Sequence, residues 1–155
     1  MTDYTQVEEI KILADELLKV MGVNAPVSYE ESITKGLVLN IGASPDSYLL
    51  IGRQGATLHS LQVLLQAMVL KKFPNQPVYF SVDVDDYKMK REWFLKETAR
   101  AATDQLKKTG RPQALEPMPS YERRIVHAYL QEHNPEVYTE SIGQEPYRKI
   151  VIRLK

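Results

Sequence analysis

Apolar and polar residues follow two different periods along the first half of the chain. A spacing of three to four residues, typical of helices, alternates with the two-residue spacing of strands. The predicted order is helix 4–21, strands 27–33 and 37–41, short helix 48–51, a longer helix from about 56, and strand 78–84. Lys35-Gly36 predicts a hairpin turn, and Gly52-Arg53-Gln54-Gly55 separates the last two helices.

The second half begins with the longest predicted helix, over residues 86–108, which Gly110 and Pro112 end. An extended stretch rich in proline follows. Ser120 is the expected N-cap of a further helix, and two strands, 137–142 and 147–154, close the chain. The pattern predicts an α+β protein with domains over residues 1–85 and 86–155, the second led by the long helix.

Composition narrows the class of protein. The chain is 43% hydrophobic and 26% charged, which is typical of a folded protein. It has no apolar run near the roughly 20 residues that span a bilayer, and no secretory signal, so no membrane partner is expected. Cysteine is absent, which excludes disulfides and thiolate metal sites. These features agree with a cytoplasmic protein.

Charge is unevenly distributed although the net charge is zero. Residues 1–85 carry 6 Lys and Arg against 10 Asp and Glu, whereas residues 86–155 carry 14 against 10. The second half therefore attracts a polyanion better than the first. A solvated surface that happens to be uneven explains an imbalance of four charges in each half equally well.

The glycine tetrapeptide has the chemistry of a phosphate site. Gly52 and Gly55 allow a tight turn and a close approach of a ligand backbone. The loop opens a helix whose first amides and dipole attract anions, and Arg53 adds a permanent cation beside Gln54. A structural turn between two helices needs the same glycines, so the tetrapeptide alone does not decide between the two.

A second candidate site lies on the helix after Ser120. Arg123 and His127 are four residues apart and therefore share one face, which we expect to be exposed and able to bind phosphate. Val126 is expected on the opposite, apolar side. Arg148 and Lys149, beside the last strand, are candidate supporting contacts.

Residues 50–62 are similar to the KH signature of the bacterial Jag family. Residues 119–127 and 139–149 resemble the R-three-H domain, named for an arginine and a histidine separated by three residues, here Arg123 and His127. The Jag family carries both domains in this order, joined by a basic helix. The resemblance covers nearly the whole chain, but we expect the additional N-terminal Jag domain of many members to be missing.

The resemblance implies a type II KH fold whose Gly52–Gly55 loop clamps about four nucleotides of a single strand. Thr57 and His59 would flank the apolar groove that holds the bases. It also implies single-stranded RNA as ligand, with single-stranded DNA left open, and a role as post-transcriptional regulator or RNA chaperone. Pairing with a small KH protein or with itself is the implied partnership. An interaction module acting mainly through such dimerisation is the alternative.

Among enzymes, the sequence offers one hypothesis, a metal-dependent nuclease. Asp83 and Asp85 would face one side of a strand, as in some Mg²⁺ sites. No third ligand is evident, and the end of a strand before a helix explains these residues more simply. No phosphate-binding or hydrolase motif is present. We expect no catalysis and no cofactor.

Overall fold

The computed structural model describes residues 4–32 and 36–155. The chain forms two compact units, Met1–Lys88 and Met89–Lys155. The division falls inside a helix, three residues after the expected boundary. No helix in the described ranges is both long and apolar enough to cross a membrane.

The first unit has the element order that the hydrophobic pattern predicts. Its elements are α1 (Tyr4–Val20), β1 (Val27–Ser32), β2 (Gly36–Ile41), α2 (Ser47–Ile51), a 3₁₀ turn (Arg53–Gly55), α3 (Ala56–Lys72) and β3 (Phe80–Val84). The strands form one sheet in the order β1-β2-β3. β1 and β2 are antiparallel, whereas β2 and β3 are parallel. Lys35, one of the two residues of the predicted hairpin turn, lies outside the described residues.

Helix α3 anchors the first unit through one apolar stripe. Its buried residues recur at three- and four-residue intervals: Leu58, Leu61, Leu65 and Val69. They pack with the buried side of α1 and with the apolar residues of the sheet. Burying each such side chain stabilises the unit by about 1.5–3 kcal/mol. This packing fixes the start of α3, and with it the glycine loop, against the sheet.

The second unit contains two long helices and a small antiparallel sheet. Its elements are α4 (Tyr87–Thr109), which begins in the first unit, β4 (Gln113–Ala114), α5 (Ser120–His133), β5 (Val137–Ile142) and β6 (Lys149–Leu154). The strand order is β4-β6-β5. Leu95, Ala99 and Leu106 of α4 are buried, and the core also includes Val126 and Leu130 of α5.

Two strands begin two residues later than predicted, and the predicted N-cap of α5 was wrong. β3 begins at Phe80 rather than Val78; Val78 follows Pro77, which has no backbone donor, and Tyr79 is 84% exposed. β6 begins at Lys149 rather than residue 147. Ser120 is the first residue of α5 and not its N-cap; Pro119 takes the capping position in an extended conformation, without a side-chain hydrogen bond.

Candidate nucleic-acid interface

The loop between α2 and α3 reverses the chain within four residues. Three of them have positive φ: Gly52 at 69°, Gln54 at 52° and Gly55 at 78°. The Gly52 amide donates to the Tyr48 carbonyl oxygen at 2.9 Å and so closes α2. The Gly55 amide donates to the Gly52 carbonyl oxygen at 3.4 Å, and α3 begins at the next residue.

Both glycines are required by the surroundings of the loop as well as by its dihedral angles. A Cβ atom on Gly52 would lie 2.1 Å from Thr57 Oγ1 and 2.9 Å from the Thr57 amide nitrogen. A Cβ on Gly55 would lie 2.8 Å from the Tyr87 ring. The half-buried Thr57 therefore packs directly against the loop backbone.

The side chains of the loop present one cation to solvent. Arg53 is exposed at the tip, and Gln54 beside it is half-buried. His59 is exposed in the first turn of α3. The backbone of the loop, the start of α3 and the Arg53 guanidinium thus lie within one short stretch of chain, a combination suited to an anion.

The expectation that Arg123 lies on an exposed helix face was wrong. Arg123 is only 7% exposed and shares the buried side of α5 with Val126 and Leu130. Its guanidinium donates to the Met118 carbonyl oxygen and to Glu145 Oε1, each at 2.6 Å. A buried arginine is tolerated because these acceptors replace water.

His127 is held between two hydroxyl groups of β5. Its Nδ1 lies 2.5 Å from Thr139 Oγ1 and its Nε2 lies 3.0 Å from Ser141 Oγ. A neutral imidazole can donate to one hydroxyl and accept from the other. Burial lowers the pKa of His127, and the positive charge of Arg123 lowers this pKa further.

This arrangement predicts that acid destabilises the second unit. The folded pKa of His127 lies below the value of about 6.5 expected when unfolded. Above that pH, His127 is neutral in both the folded and the unfolded state, and its contribution to stability is complete. As the pH falls from about 7 through the lowered folded pKa, the unfolded state takes up the proton first, and stability is lost.

Urea unfolding at pH 7.5 and 5.5, monitored by the fluorescence of Trp93, measures this effect. We expect His127→Gln to lose less stability between the two pH values than the parent does. His59→Gln, which changes an exposed histidine, is the control and should behave like the parent. Equal acid sensitivity in all three proteins would refute the role of His127.

Arg148 and Lys149 stand at the start of β6, and both side chains are half-buried. The Arg148 carbonyl oxygen accepts a hydrogen bond from the Met118 amide at 3.2 Å. Within the described ranges, Arg148 Nε is buried without a hydrogen-bond partner. Because Arg123 is bonded to both Met118 and Glu145, it braces the segment that leads into these two cations.

A cleft beside His127 was not visible in the sequence pattern. It has a volume of 420 Å³. Its lining residues come from α5, β5 and the end of the chain: His127, Leu130, Gln131, Pro135, Val137, Tyr138, Thr139 and Lys155. Tyr138 is 45% exposed. No local signal could have found this cleft, because it depends on how α5 packs across β5.

The acidic residues Asp83, near the end of β3, and Asp85, just after it, have structural partners. Asp83 Oδ1 accepts hydrogen bonds from the Val84 amide at 2.9 Å and from the Lys88 amide at 3.2 Å, in the first turn of α4. The Asp85 amide donates to the Ile41 carbonyl oxygen. Over residues 4–32 and 36–155, no cluster of three or more His, Asp or Glu side chains is placed to hold a metal ion.

Comparison with known proteins decides the family. The family model of the R-three-H domain matches residues 94–154. The RNA-binding protein KhpB of Bacillus subtilis (strain 168) is 33% identical over 150 residues, which are 96% of this chain and 71% of that protein. The chain belongs to the KhpB family. This confirms the resemblance to the Jag family that the two motifs carry.

Two further KhpB proteins match across most of the chain. The RNA-binding protein KhpB of Clostridium symbiosum is 38% identical over 135 residues, covering 87% of this chain and 59% of that protein. The KhpB protein of Lactiplantibacillus plantarum is 34% identical over 149 residues, which cover 94% of this chain and 45% of that protein. The chain thus spans about half to two thirds of the length of these KhpB relatives.

Proposed function

We propose that this chain binds single-stranded RNA and contacts the strand at two places, the glycine loop of the first unit and the start of β6 in the second. The names of its KhpB relatives and the match to the R-three-H domain support RNA binding over an interaction module acting by dimerisation alone. The single observation that carries the proposal is the loop Gly52–Gly55, whose backbone geometry only glycine allows at both ends.

In this proposal the first unit is a type II KH domain. The order of its elements, the sheet with one antiparallel and one parallel pair, and the position of the glycine loop support this assignment. Gly52 and Gly55 let the sugar-phosphate backbone approach, while Arg53 and Gln54 contact it from the tip. Thr57 contributes by packing against the loop backbone at Gly52.

The R-three-H unit supplies further contacts to phosphate. Arg148 and Lys149 are the cations that we propose to touch the strand, since Arg123 is buried and paired inside the unit. Arg123 then acts as a positioning residue, because it bonds to Met118, whose amide donates to the Arg148 carbonyl oxygen, and to Glu145, three residues before Arg148. His127, half-buried beside the 420 Å³ cleft, would contact a nucleotide from the cleft wall.

The cellular role that fits such binding is that of a cytoplasmic post-transcriptional regulator or RNA chaperone without catalytic activity. Two RNA-binding sites on one chain would raise its avidity for RNA, and pairing with a second KH protein would add a further groove. Incubation with Mg²⁺ or Mn²⁺ should leave RNA intact. Gel filtration with and without RNA should show whether the binding species is a monomer or a dimer.

Fluorescence anisotropy with a labelled single-stranded RNA tests the proposal directly. We expect saturable binding, and the logarithm of the binding constant should fall linearly with the logarithm of salt concentration, by about 0.7 for each phosphate contact. A duplex of the same sequence should bind more weakly, because the loop contacts a single backbone and the bases must be unpaired. Equal affinity for duplex and single strand would contradict the proposal.

A further inference from the structure

Two glutamines of α3 cover the outer edge of β3. β3 is an edge strand, hydrogen-bonded to β2 on one side only. On its other side, Gln62 Oε1 accepts a hydrogen bond from the Val82 amide at 3.0 Å, and Gln66 Nε2 donates to the Phe80 carbonyl oxygen at 2.9 Å. The exposed edge of the sheet is thereby satisfied by side chains rather than by water.

These partners fix the orientation of both side-chain amides. A backbone N–H can only donate, so Gln62 must present its oxygen to Val82 and direct its Nε2 elsewhere. A carbonyl can only accept, so Gln66 must present its nitrogen to Phe80 and keep Oε1 for another partner. Over residues 4–32 and 36–155, neither remaining atom has a hydrogen-bond partner. One turn of helix therefore carries a donor and an acceptor side by side.

The surroundings of this pair suit a nucleotide strand. Gln62 and Gln66 lie about 10 and 16 Å along α3 from Gly55, at roughly 1.5 Å per residue. Lys88 Nζ donates to Gln62 Oε1 at 3.3 Å, which places a cation beside the pair. Beyond Gln66 is an apolar pocket of 210 Å³. Its lining residues are Gln66, Leu70, Pro77, Val78 and Tyr79.

The order along α3 is thus a backbone-binding loop, a polar pair and an apolar pocket with an aromatic ring. Tyr79 is 84% exposed, so its ring is accessible for stacking with a base. Every base carries hydrogen-bond donors and acceptors on its edges, so a donor beside an acceptor can select a base by the order in which the base presents them.

We propose that Gln62 and Gln66 contact base edges of the strand that the glycine loop holds, and so determine the base preference of the first unit. This rests on the proposed RNA binding. The glutamines would keep their bonds to β3 and use the second atom of each amide for the base.

A charge-neutral double variant, Gln62→Glu with Gln66→Lys, separates base recognition from folding and from general electrostatics. The carboxylate still accepts from Val82 and faces Lys88, and the ammonium still donates to Phe80. The outward amide donor and acceptor are lost. Glutamate four residues before lysine also favours the helix. Val63→Glu with Ala67→Lys is the matched control, because it places the same pair one residue further round α3.

Affinities for octamers of adenylate, cytidylate and uridylate are the measurement. We expect the parent and the control to rank the three octamers in the same order, and the double variant to change the ratio of adenylate to uridylate affinity at least roughly fivefold, with an unchanged salt slope. An unchanged ratio would overturn the inference and leave the proposed RNA binding intact. Failure of the parent to bind any octamer would instead contradict the proposed function.

Should the double variant unfold, as circular dichroism would show, Gln62→Glu alone retains the acceptor for Val82 and can be compared with Val63→Glu of equal charge. A uniform loss for all three octamers, equal in both single variants, would assign Gln62 to edge protection only and overturn the inference. A loss in Gln62→Glu that differs between adenylate and uridylate would support it.

Discussion

Replacing Arg53 and Gln54 together by aspartate is expected to weaken binding to single-stranded RNA by at least roughly tenfold, since a charged hydrogen bond contributes about 1.5–3 kcal/mol. The change removes the only cation of the loop and adds two carboxylates where the phosphates would lie. Repulsion from both carboxylates then adds to the lost contact. The salt slope should also fall, because fewer counterions are released.

The double aspartate variant should nevertheless fold. Arg53 is exposed and makes no contribution to the core of the first unit. Gln54 has a φ of 52°, a conformation that aspartate adopts more readily than most residues. The two glycines stay in place, so the contacts of the loop with Thr57 and Tyr87 are unchanged. The unfolding midpoint in urea should therefore stay close to that of the parent.

Anisotropy titration with labelled RNA measures the loss, and a second variant controls for net charge. Lys19→Asp with Asn24→Asp alters the net charge by the same amount, at two exposed residues outside the loop and outside α3. We expect this control to lose much less affinity, since it keeps the loop contacts to the strand and acts only through net charge, which salt screens. Equal losses in the two variants would contradict the role of the loop.

The elements of the first unit could be predicted because its hydrophobic pattern is local. The stripe from Leu58 to Val69 on α3 identifies both the helix and its buried side, and glycine at positions 52 and 55 identifies the break before it. By contrast, nothing in the sequence around β3 indicates that side chains of α3 bond to the outer edge of this strand. Gln62 and Gln66 look like ordinary polar helix residues in the sequence, and their role depends on Val82 and Phe80, some 14 to 20 residues away.

The error over Arg123 has the same physical origin. A charged residue on a helix is normally solvated, so the spacing to His127 indicated an exposed pair. Burial of Arg123 depends on acceptors from Met118 and Glu145, and the latter lies 22 residues further along the chain. Spacing along one helix carries no information on such partners. The neighbouring Glu122 is also buried, and its ion-pair partner, Arg91, lies on a different helix, α4.

Arg91→Met is expected to destabilise the second unit by about 3–5 kcal/mol, the usual cost of leaving a buried charge without its partner. Glu122 is fully buried, and Arg91 donates to both of its carboxylate oxygens, from Nε at 2.8 Å and from a terminal nitrogen at 2.9 Å. The hydroxyl of Tyr121 reaches Glu122 at 3.3 Å and offers only one further donor. We place the effect near the low end, since the Arg91 side chain is 18% exposed.

Urea unfolding followed by circular dichroism and by the fluorescence of Trp93, two residues after Arg91, measures this cost. Lys96→Met on the same helix breaks the exposed pair with Glu92 and should cost at most about 1 kcal/mol. Adding Glu122→Leu to Arg91→Met removes the stranded carboxylate and should restore most of the lost stability, because an apolar pair of similar size avoids the desolvation of both charges. If Arg91→Met costs no more than Lys96→Met, the pair contributes to neither stability nor position, and Glu122 must be solvated when the unit is in solution.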